Sequence, residues 1–221
     1  MREAYREELA RFVARLAELT GLAEQAVGRA TTALLTDDPV LAGEVVAEAE
    51  KIHAFHHALE SEALTLLARQ QPVATDLRTI VAGLRMSVDL ERMGALVRHL
   101  AEFARRGRAV PVVPAMAREL VAEMGGVARR LTAEARQALT ERNAAKAPEL
   151  AREDDEMDRL AETLYRRLQH ADTRPDLETA MDVALLGRYY ERFADHAVSL
   201  GKRIAFALHG YPEDAGKQPV P

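Results

Sequence analysis

The feature that most constrains this chain is an internal repeat with an offset of 100 residues. Asp76-Leu77-Arg78-Thr79 recurs as Asp176-Leu177-Glu178-Thr179, and the segment 89–95 (DLERMGA) recurs as 189–195 (YYERFAD). Self-similarity at a fixed offset is typical of a chain built from two copies of one supersecondary unit. The repeat therefore predicts two similar halves whose polar residues can be compared position by position.

The composition predicts an all-α protein. Ala, Leu, Glu and Arg dominate the chain, and these residues favour helices. Apolar residues recur every three or four positions, as in Leu9, Phe12, Leu16 and Leu19, whereas no period-two run typical of a strand occurs. The chain has no Cys, which excludes disulfides and thiolate metal sites.

Capping and turn residues divide the helical pattern into six long helices. Asp38 and Pro39 provide a cap and a first helical residue for a second helix over about 40–70. We expect Thr75 to cap a third helix that runs to about residue 106. The remaining helices are predicted over about 115–142, over about 148–169, and from the Pro175 turn to about 210.

The short connections predict two elongated antiparallel three-helix bundles, each packed around its own seam of Ala, Leu and Val. We assign residues 1–108 to the first bundle, 109–114 to a linker, 115–210 to the second bundle and 211–221 to a disordered tail. The N-terminus lacks the apolar region of a signal peptide, and no apolar stretch reaches the roughly 20 residues of a membrane span. We expect a cytoplasmic protein, and its net charge of -5 argues against nucleic-acid binding.

Two pairs of carboxylates are the main candidate for chemistry. Asp154 and Asp158 lie four residues apart on the fifth helix, and Glu191 and Asp195 lie four apart on the sixth. This spacing places both members of a pair on one helical face, and hard oxygen ligands suit Mg²⁺, Mn²⁺, Ca²⁺ or iron. The alternative is a solvated acidic surface, since the chain holds 35 carboxylates.

The first repeat lacks three of these four carboxylates. Ala49 and His53 stand where the second repeat has Asp154 and Asp158, and Ala95 stands in place of Asp195. His53 and Glu91 remain secondary metal candidates.

His53, His56 and His57 cluster on the second helix, where we interpret them as structural rather than as ligands. Glu50 and His53 have the Glu-x-x-His spacing of di-iron bundles, but none of the other six His follows a Glu at that spacing.

The segment 185–197 (LLGRYYERFADHA) closely resembles the PhoU family of phosphate-response regulators, as do its counterpart in 76–94 and the segment 153–158 (EDDEMD). The resemblance extends over about residues 3–210. It implies two similar three-helix bundles with metal-binding Glu/Asp-x-x-x-Asp motifs. These motifs are met at 154/158 and 191/195 and fail at 49/53 and at 95, so we predict one metal-competent bundle, with Mg, Mn, Fe and Zn left open.

The resemblance also implies a function without catalysis. PhoU-like proteins are adaptors between the high-affinity phosphate transporter, through its PstB-like ATPase, and a PhoR-like sensor histidine kinase. They repress the phosphate-starvation response and restrain uptake, and we expect a homodimer that meets the membrane only through these partners. Two alternatives stay open at this point: a metal-dependent or iron-handling helical enzyme, and a structural scaffold without metal.

Overall fold

Six long α-helices make up most of the computed structural model, which describes residues 2–70, 72–106, 111–169 and 176–210. No strand occurs in these ranges, which confirms the all-α prediction. A short 3-10 helix, Ala144–Lys146, precedes the fifth helix. The six are α1 Arg2–Thr36, α2 Pro39–Gln70, α3 Ala74–Arg105, α4 Ala115–Glu141, α5 Ala147–Gln169 and α6 Leu177–His209.

The predicted start of α2 is confirmed. Pro39 is its first residue, and Asp38 Oδ1 accepts hydrogen bonds from the backbone N–H groups of Val40 at 2.9 Å and Leu41 at 3.0 Å. The side chain thus satisfies amides that have no partner within the helix. Asp176 caps α6 in the same way, accepting from the Thr179 N–H at 2.8 Å.

The predicted cap of α3 is wrong. Val73 occupies the cap position in an extended conformation and gives no side-chain hydrogen bond, so the helix begins at Ala74. Thr75 lies inside the first turn, where its hydroxyl accepts a hydrogen bond from Arg78 Nη2 at 3.0 Å. Because the extended Val73 directly precedes the first helical residue, Ala74, Thr75 is already part of the helix and cannot occupy the cap position.

The predicted linker between the repeats is partly integrated into the protein. Val112 and Val113 are buried, and the Val112 N–H donates to Asp37 Oδ1 at 3.2 Å, so the end of the connection packs beside the α1–α2 turn. Residues 107–110 and the predicted tail 211–221 lie outside the described residues. The division of the chain at 109–114 stays a prediction.

Four helices form the centre of the molecule. α1 packs against α3 and α4, and α6 packs against the same two helices, so that α1, α3, α6 and α4 form a closed ring. α2 lies against α1 and α3 of its own repeat, and α5 lies against α4 and α6. The helices α2 and α5 therefore flank the central ring, and the candidate metal ligands lie on α2 with α3 in the first repeat and on α5 with α6 in the second.

The two three-helix bundles share one apolar core, which corrects the expectation of two separate seams. The buried apolar residues form a single cluster that draws on all six helices. Tyr190 of α6 is fully buried, and its hydroxyl lies 2.8 Å from Thr31 Oγ1 of α1. The separate-seam model was wrong because helical periodicity identifies an apolar face and not the helix that covers it. Among the described helices, none is long and apolar enough to cross a membrane.

Gly125 allows α1 and α4 to approach closely. A Cβ atom at Gly125 would overlap the Thr31 side chain, which already bonds to Tyr190 and to the Val27 carbonyl. The neighbouring Gly126 has room, because its Cβ atom would come no nearer than 3.7 Å to Arg130 Nη1.

We predict that Gly125→Ala destabilises the protein by about 1–3 kcal/mol, because the added methyl group forces α1 and α4 apart. Gly126→Ala is the matched control on the same helix and should be neutral or stabilising by up to about 1 kcal/mol, since Ala favours helices over Gly. Urea unfolding followed by circular dichroism measures both. Equal stability of the two variants would show that the Thr31 contact does not constrain this packing.

A buried carboxylate joins the two repeats. Asp89 of α3 is only 6% exposed, and it accepts hydrogen bonds from His196 Nδ1 at 3.2 Å and from Arg203 Nε, both on α6. Burial alone would raise the pKa of Asp89, but the hydrogen bonds and the positive charge of Arg203 outweigh it and hold the pKa below its usual value. Asp89 is therefore ionised at neutral pH.

We predict that Asp89→Ala costs about 2–4 kcal/mol of stability at pH 7, because it leaves Arg203 and His196 without their carboxylate. The exposed residue Asp155 provides the control Asp155→Ala, which should change stability by less than about 0.5 kcal/mol. Since the folded pKa of Asp89 is depressed, its contribution is present above the unfolded pKa of about 3.9 and is lost as the pH falls through the folded value. Urea unfolding should therefore show a smaller difference in stability between the wild type and Asp89→Ala near pH 3 than at pH 7. An equal difference at both pH values would contradict the prediction.

Candidate metal centres

The structure brings the predicted carboxylates of the second repeat onto one surface between α5 and α6. Asp154 is half-buried, whereas Asp158 and Asp195 are exposed. The pKa of Asp154 is raised to about 6, first by burial and then by the negative charges of Asp195, Asp158 and Asp155, while Lys202 opposes the shift. Because charge repulsion of this kind acts only at short range in water, carboxylates from both helices lie close together here.

Glu191, the fourth predicted ligand, is held by a residue that the sequence analysis missed. The Tyr165 hydroxyl of α5 donates a hydrogen bond to Glu191 Oε2 at 2.6 Å, and Arg188 Nη1 lies 3.8 Å from the same oxygen. Burial and this hydrogen bond both raise the pKa of Tyr165, so it stays a donor. Tyr165 lies two turns beyond Asp158, and that helical spacing was the only signal in the sequence.

The carboxylates are close, but they do not form a finished coordination shell. In the described part of the chain, only His56, His57 and Glu60 bring three ligand atoms within 4.8 Å of one another. Side-chain rotation would therefore be needed for one ion to bind several of the four carboxylates. The raised pKa of Asp154 fits such a cation, because a positive ion would relieve the repulsion that the cluster now carries.

The equivalent surface of the first repeat has a different chemistry. Ala49 and Ala95 line an open groove there, together with His53, Glu91 and Arg98. The secondary candidates do meet, since His53 Nδ1 lies 3.2 Å from Glu91 Oε1. Glu50 lines it as well, so this groove offers one imidazole, two carboxylates and the guanidinium group of Arg98 instead of four carboxylates.

Three His side chains of α2 gather beside this groove. His57 Nε2 lies 3.2 Å from His53 Nε2, and the ring centres of His56 and His57 are 5.1 Å apart. One contact fits the structural role expected for these residues, because His56 Nδ1 lies 3.2 Å from Ser87 Oγ of α3. Burial and the neighbouring His57 lower the pKa of His56, which keeps its ring neutral at neutral pH.

Comparison with known proteins identifies the family of this chain. A family model described as the PhoU domain matches residues 16–104 and, a second time, residues 121–204. The chain belongs to the PhoU family. The double match confirms the internal repeat, and it extends over both sets of packed helices.

Curated relatives support this assignment along nearly the whole chain. A protein named "Phosphate-specific transport system accessory protein PhoU homolog 2" from Mycobacterium bovis is 43% identical over 210 residues, covering 95% of this chain and 99% of its own. A "homolog 1" from Mycobacterium leprae is 43% identical over 215 residues, covering 97% of each chain.

Solved structures agree with the fold. PhoU from Pseudomonas aeruginosa is 26% identical and superposes with a TM-score of 0.85, covering 94% of this chain and all of the other. The phosphate transport system regulatory protein PhoU from Streptococcus pneumoniae, at 21% identity, has a TM-score of 0.83. The second comparison shows the shared fold alone.

The charge cluster around Asp154 leads to a prediction for the metal-free protein. The folded pKa of about 6 lies above the unfolded value of about 3.9, so ionisation of Asp154 should reduce stability as the pH rises from about 4 to about 6. Asp154→Asn should therefore stabilise the protein at pH 7.5 by about 1 kcal/mol, a figure discounted for solvent screening.

Thermal unfolding of chelator-treated protein at pH 4.5 and pH 7.5 tests this, with Asp155→Asn as the control on the adjacent residue. The gain should be larger for Asp154→Asn and should shrink at the lower pH. A loss of stability at pH 7.5, or an equal gain from both variants, would contradict the proposed repulsion.

Proposed function

We propose that this PhoU-family chain is an adaptor that represses the phosphate-starvation response and restrains phosphate uptake while phosphate is plentiful. The observation that carries the proposal is the similarity to named phosphate-specific transport accessory proteins over 95% or more of this chain. Both repeats take part in that similarity, so the whole folded unit and not a single motif supports the role.

The proposed partners are the PstB-like ATPase of the phosphate ABC transporter and a PhoR-like sensor histidine kinase. In this proposal the chain works in the cytoplasm, as a homodimer, and reaches the membrane only through these proteins. Its six long helices offer extended lateral surfaces, and helical surfaces of this kind serve to bind the helices of other proteins.

The shape of the molecule favours binding over catalysis. An apolar recess beside α3 and α6, lined by Leu16, Met86 and Ile204 among others, has only about 40 Å³ of internal space. Typical small-molecule sites enclose about 300–1,000 Å³, so this recess is too small for a substrate. The grooves on the outer surface are larger, at about 470 Å³ beside His53 and about 400 Å³ beside Glu62, but they are open to solvent and lined by charged side chains.

We further propose that Asp154, Asp158, Glu191 and Asp195 hold a divalent or iron cation. Their oxygen atoms suit Mg²⁺, Mn²⁺ or iron, and Zn²⁺ also accepts carboxylate ligands. Tyr165 would keep Glu191 oriented, and the ion would tie α5 to α6 by neutralising the repulsion around Asp154. The first repeat supplies only His53 and Glu91 at the matching positions.

A phosphate-starvation promoter reporter tests the adaptor role. In cells that lack this gene and any second gene of the family, the reporter should be active in phosphate-rich medium, and a plasmid copy of this chain should silence it. The physical reason is that the kinase then has no link to the transporter's state. A reporter that stays silent in the deletion strain, with normal phosphate uptake, would contradict the proposal.

The same strain separates the metal site from the adaptor role. A plasmid copy with Asp158→Ala and Asp195→Ala should lose bound metal on elemental analysis and should silence the reporter poorly. Asp155→Ala is the matched control on the same helix and should behave as wild type. Full silencing by a double variant that has lost its metal would leave the adaptor role standing and would show that the cation is dispensable for it.

A further inference from the structure

One cluster outside the carboxylate surface carries chemistry that the proposed adaptor role does not use. We define the histidine cluster as His53, His56, His57 and Glu60, all on α2. His53 and His57 are four residues apart, as are His56 and Glu60, so the four side chains share one side of the helix. His53, His57 and Glu60 are more than half exposed, which leaves the cluster open to ions from solution.

The distances within the cluster are those of metal ligands. The ligand atoms of His56, His57 and Glu60 all lie within 4.8 Å of one another. Within this group His57 Nδ1 lies 3.6 Å from Glu60 Oε2. A nitrogen and an oxygen ligand of a tetrahedral Zn²⁺ with bonds of about 2.0–2.2 Å are separated by roughly 3.4 Å, so this spacing suits a shared ion.

The hydrogen bonds around the cluster fix the ring hydrogens of His53 and His56. The Ser87 hydroxyl donates its only hydrogen to the Leu84 carbonyl at 2.8 Å, so at His56 Nδ1 the serine oxygen must accept. Glu91 likewise can only accept from His53 Nδ1, at 3.2 Å. In the neutral rings of His53 and His56, Nε2 therefore carries the lone pair, which in His56 can bind a metal and in His53 can accept a hydrogen bond from His57.

The third ring carries its hydrogen on the other nitrogen. Because His53 Nε2 carries a lone pair, His57 Nε2 donates its hydrogen to it at 3.2 Å, and the lone pair of His57 Nδ1 is left facing Glu60 Oε2 at 3.6 Å. A metal-bound histidine regularly donates its other ring hydrogen to an acceptor that fixes the tautomer and the ring orientation, and His53, itself held by Glu91, occupies that position for His57.

We propose that the histidine cluster is a second metal site, for a nitrogen-preferring ion of the Zn²⁺ class, with His57 as its central ligand. Imidazole ligands suit Zn²⁺, Ni²⁺ and Cu²⁺, whereas the four carboxylates of the second repeat suit harder ions. The two repeats would then bind different ions, one on α2 and one between α5 and α6. His56 and Glu60 complete the donor set, and a remaining position is open to water or to an anion.

A Zn²⁺ titration against a chromogenic chelator tests the site in the full chain. The background is Asp158→Asn with Asp195→Asn, which removes two of the four carboxylates of the second repeat and so weakens that site, so that remaining tight binding that is lost on His57→Ala reports on the histidine cluster. Loss of an outer partner alone typically weakens metal binding by about 10–100-fold, so His57→Ala should weaken it by about 100-fold or more. Glu60→Gln should also weaken binding. The exposed His209 at the end of α6 supplies the matched control, His209→Ala, which should bind as the background does.

Nitrogen-15 NMR of the imidazole rings gives a second readout that does not depend on affinity. His53 and His56 should show the Nδ1–H form, and substoichiometric Zn²⁺ should shift the ring signals of the cluster but not those of His99 or His209. Circular dichroism checks that each variant is folded. No Zn²⁺ binding in the background with Asp158→Asn and Asp195→Asn, or equal binding after His57→Ala, would overturn the proposal.

Discussion

The packing of α3 against α6 is the contact on which the rest of the structure depends. These helices bring the two repeats together, and α1 and α4 close the ring on the other side. At this contact Asp89 of α3 is buried against His196 and Arg203 of α6. Tyr190, also on α6, reaches across the core to Thr31 of α1. A buried ionic group stabilises a structure only where its partners are in place, so these bonds select one relative position of the repeats. The outer helices α2 and α5, which carry candidate metal ligands, pack against these four helices and are positioned by them.

Much of the fold was predictable from sequence because helix formation is local. Apolar spacing gave the six helices, and Asp38 with Pro39 gave the start of α2. The shared core was not predictable, since its contacts join residues more than 100 positions apart, as in Asp89 with Arg203. A hydrophobic face is visible in one sequence, but the choice of its partner depends on the complementary shapes of two helices, of which Gly125 against Thr31 is an example.

The candidate sites were predictable to the same extent, in their spacing along one helix but not in their contacts with the neighbouring helix. The four carboxylates could be named from their spacing, and the structure brings the charges around Asp154 together. The role of Tyr165 was missed, because it depends on Glu191 of the neighbouring helix. The metal site proposed at the histidine cluster likewise depends on contacts of its rings with Ser87 and Glu91 of α3. The four-residue spacing on α2 was visible in the sequence, but the orientations of the His53 and His56 rings depend on hydrogen bonds to α3.

The two repeats have also become different at the surface through which they meet. Asp89 bonds to Arg203, whereas at the positions offset by 100 residues Tyr189 lies against Phe103, with ring centres 6.2 Å apart. Two copies of the first repeat, paired in the same way, would set Asp89 against Phe103 in place of Arg203. Two copies of the second would set Tyr189 against Arg203 and would have no Asp89. The hydrogen bonds of Asp89 to His196 and Arg203 therefore form only between unlike repeats, so this contact distinguishes the observed pairing from a pairing of identical halves.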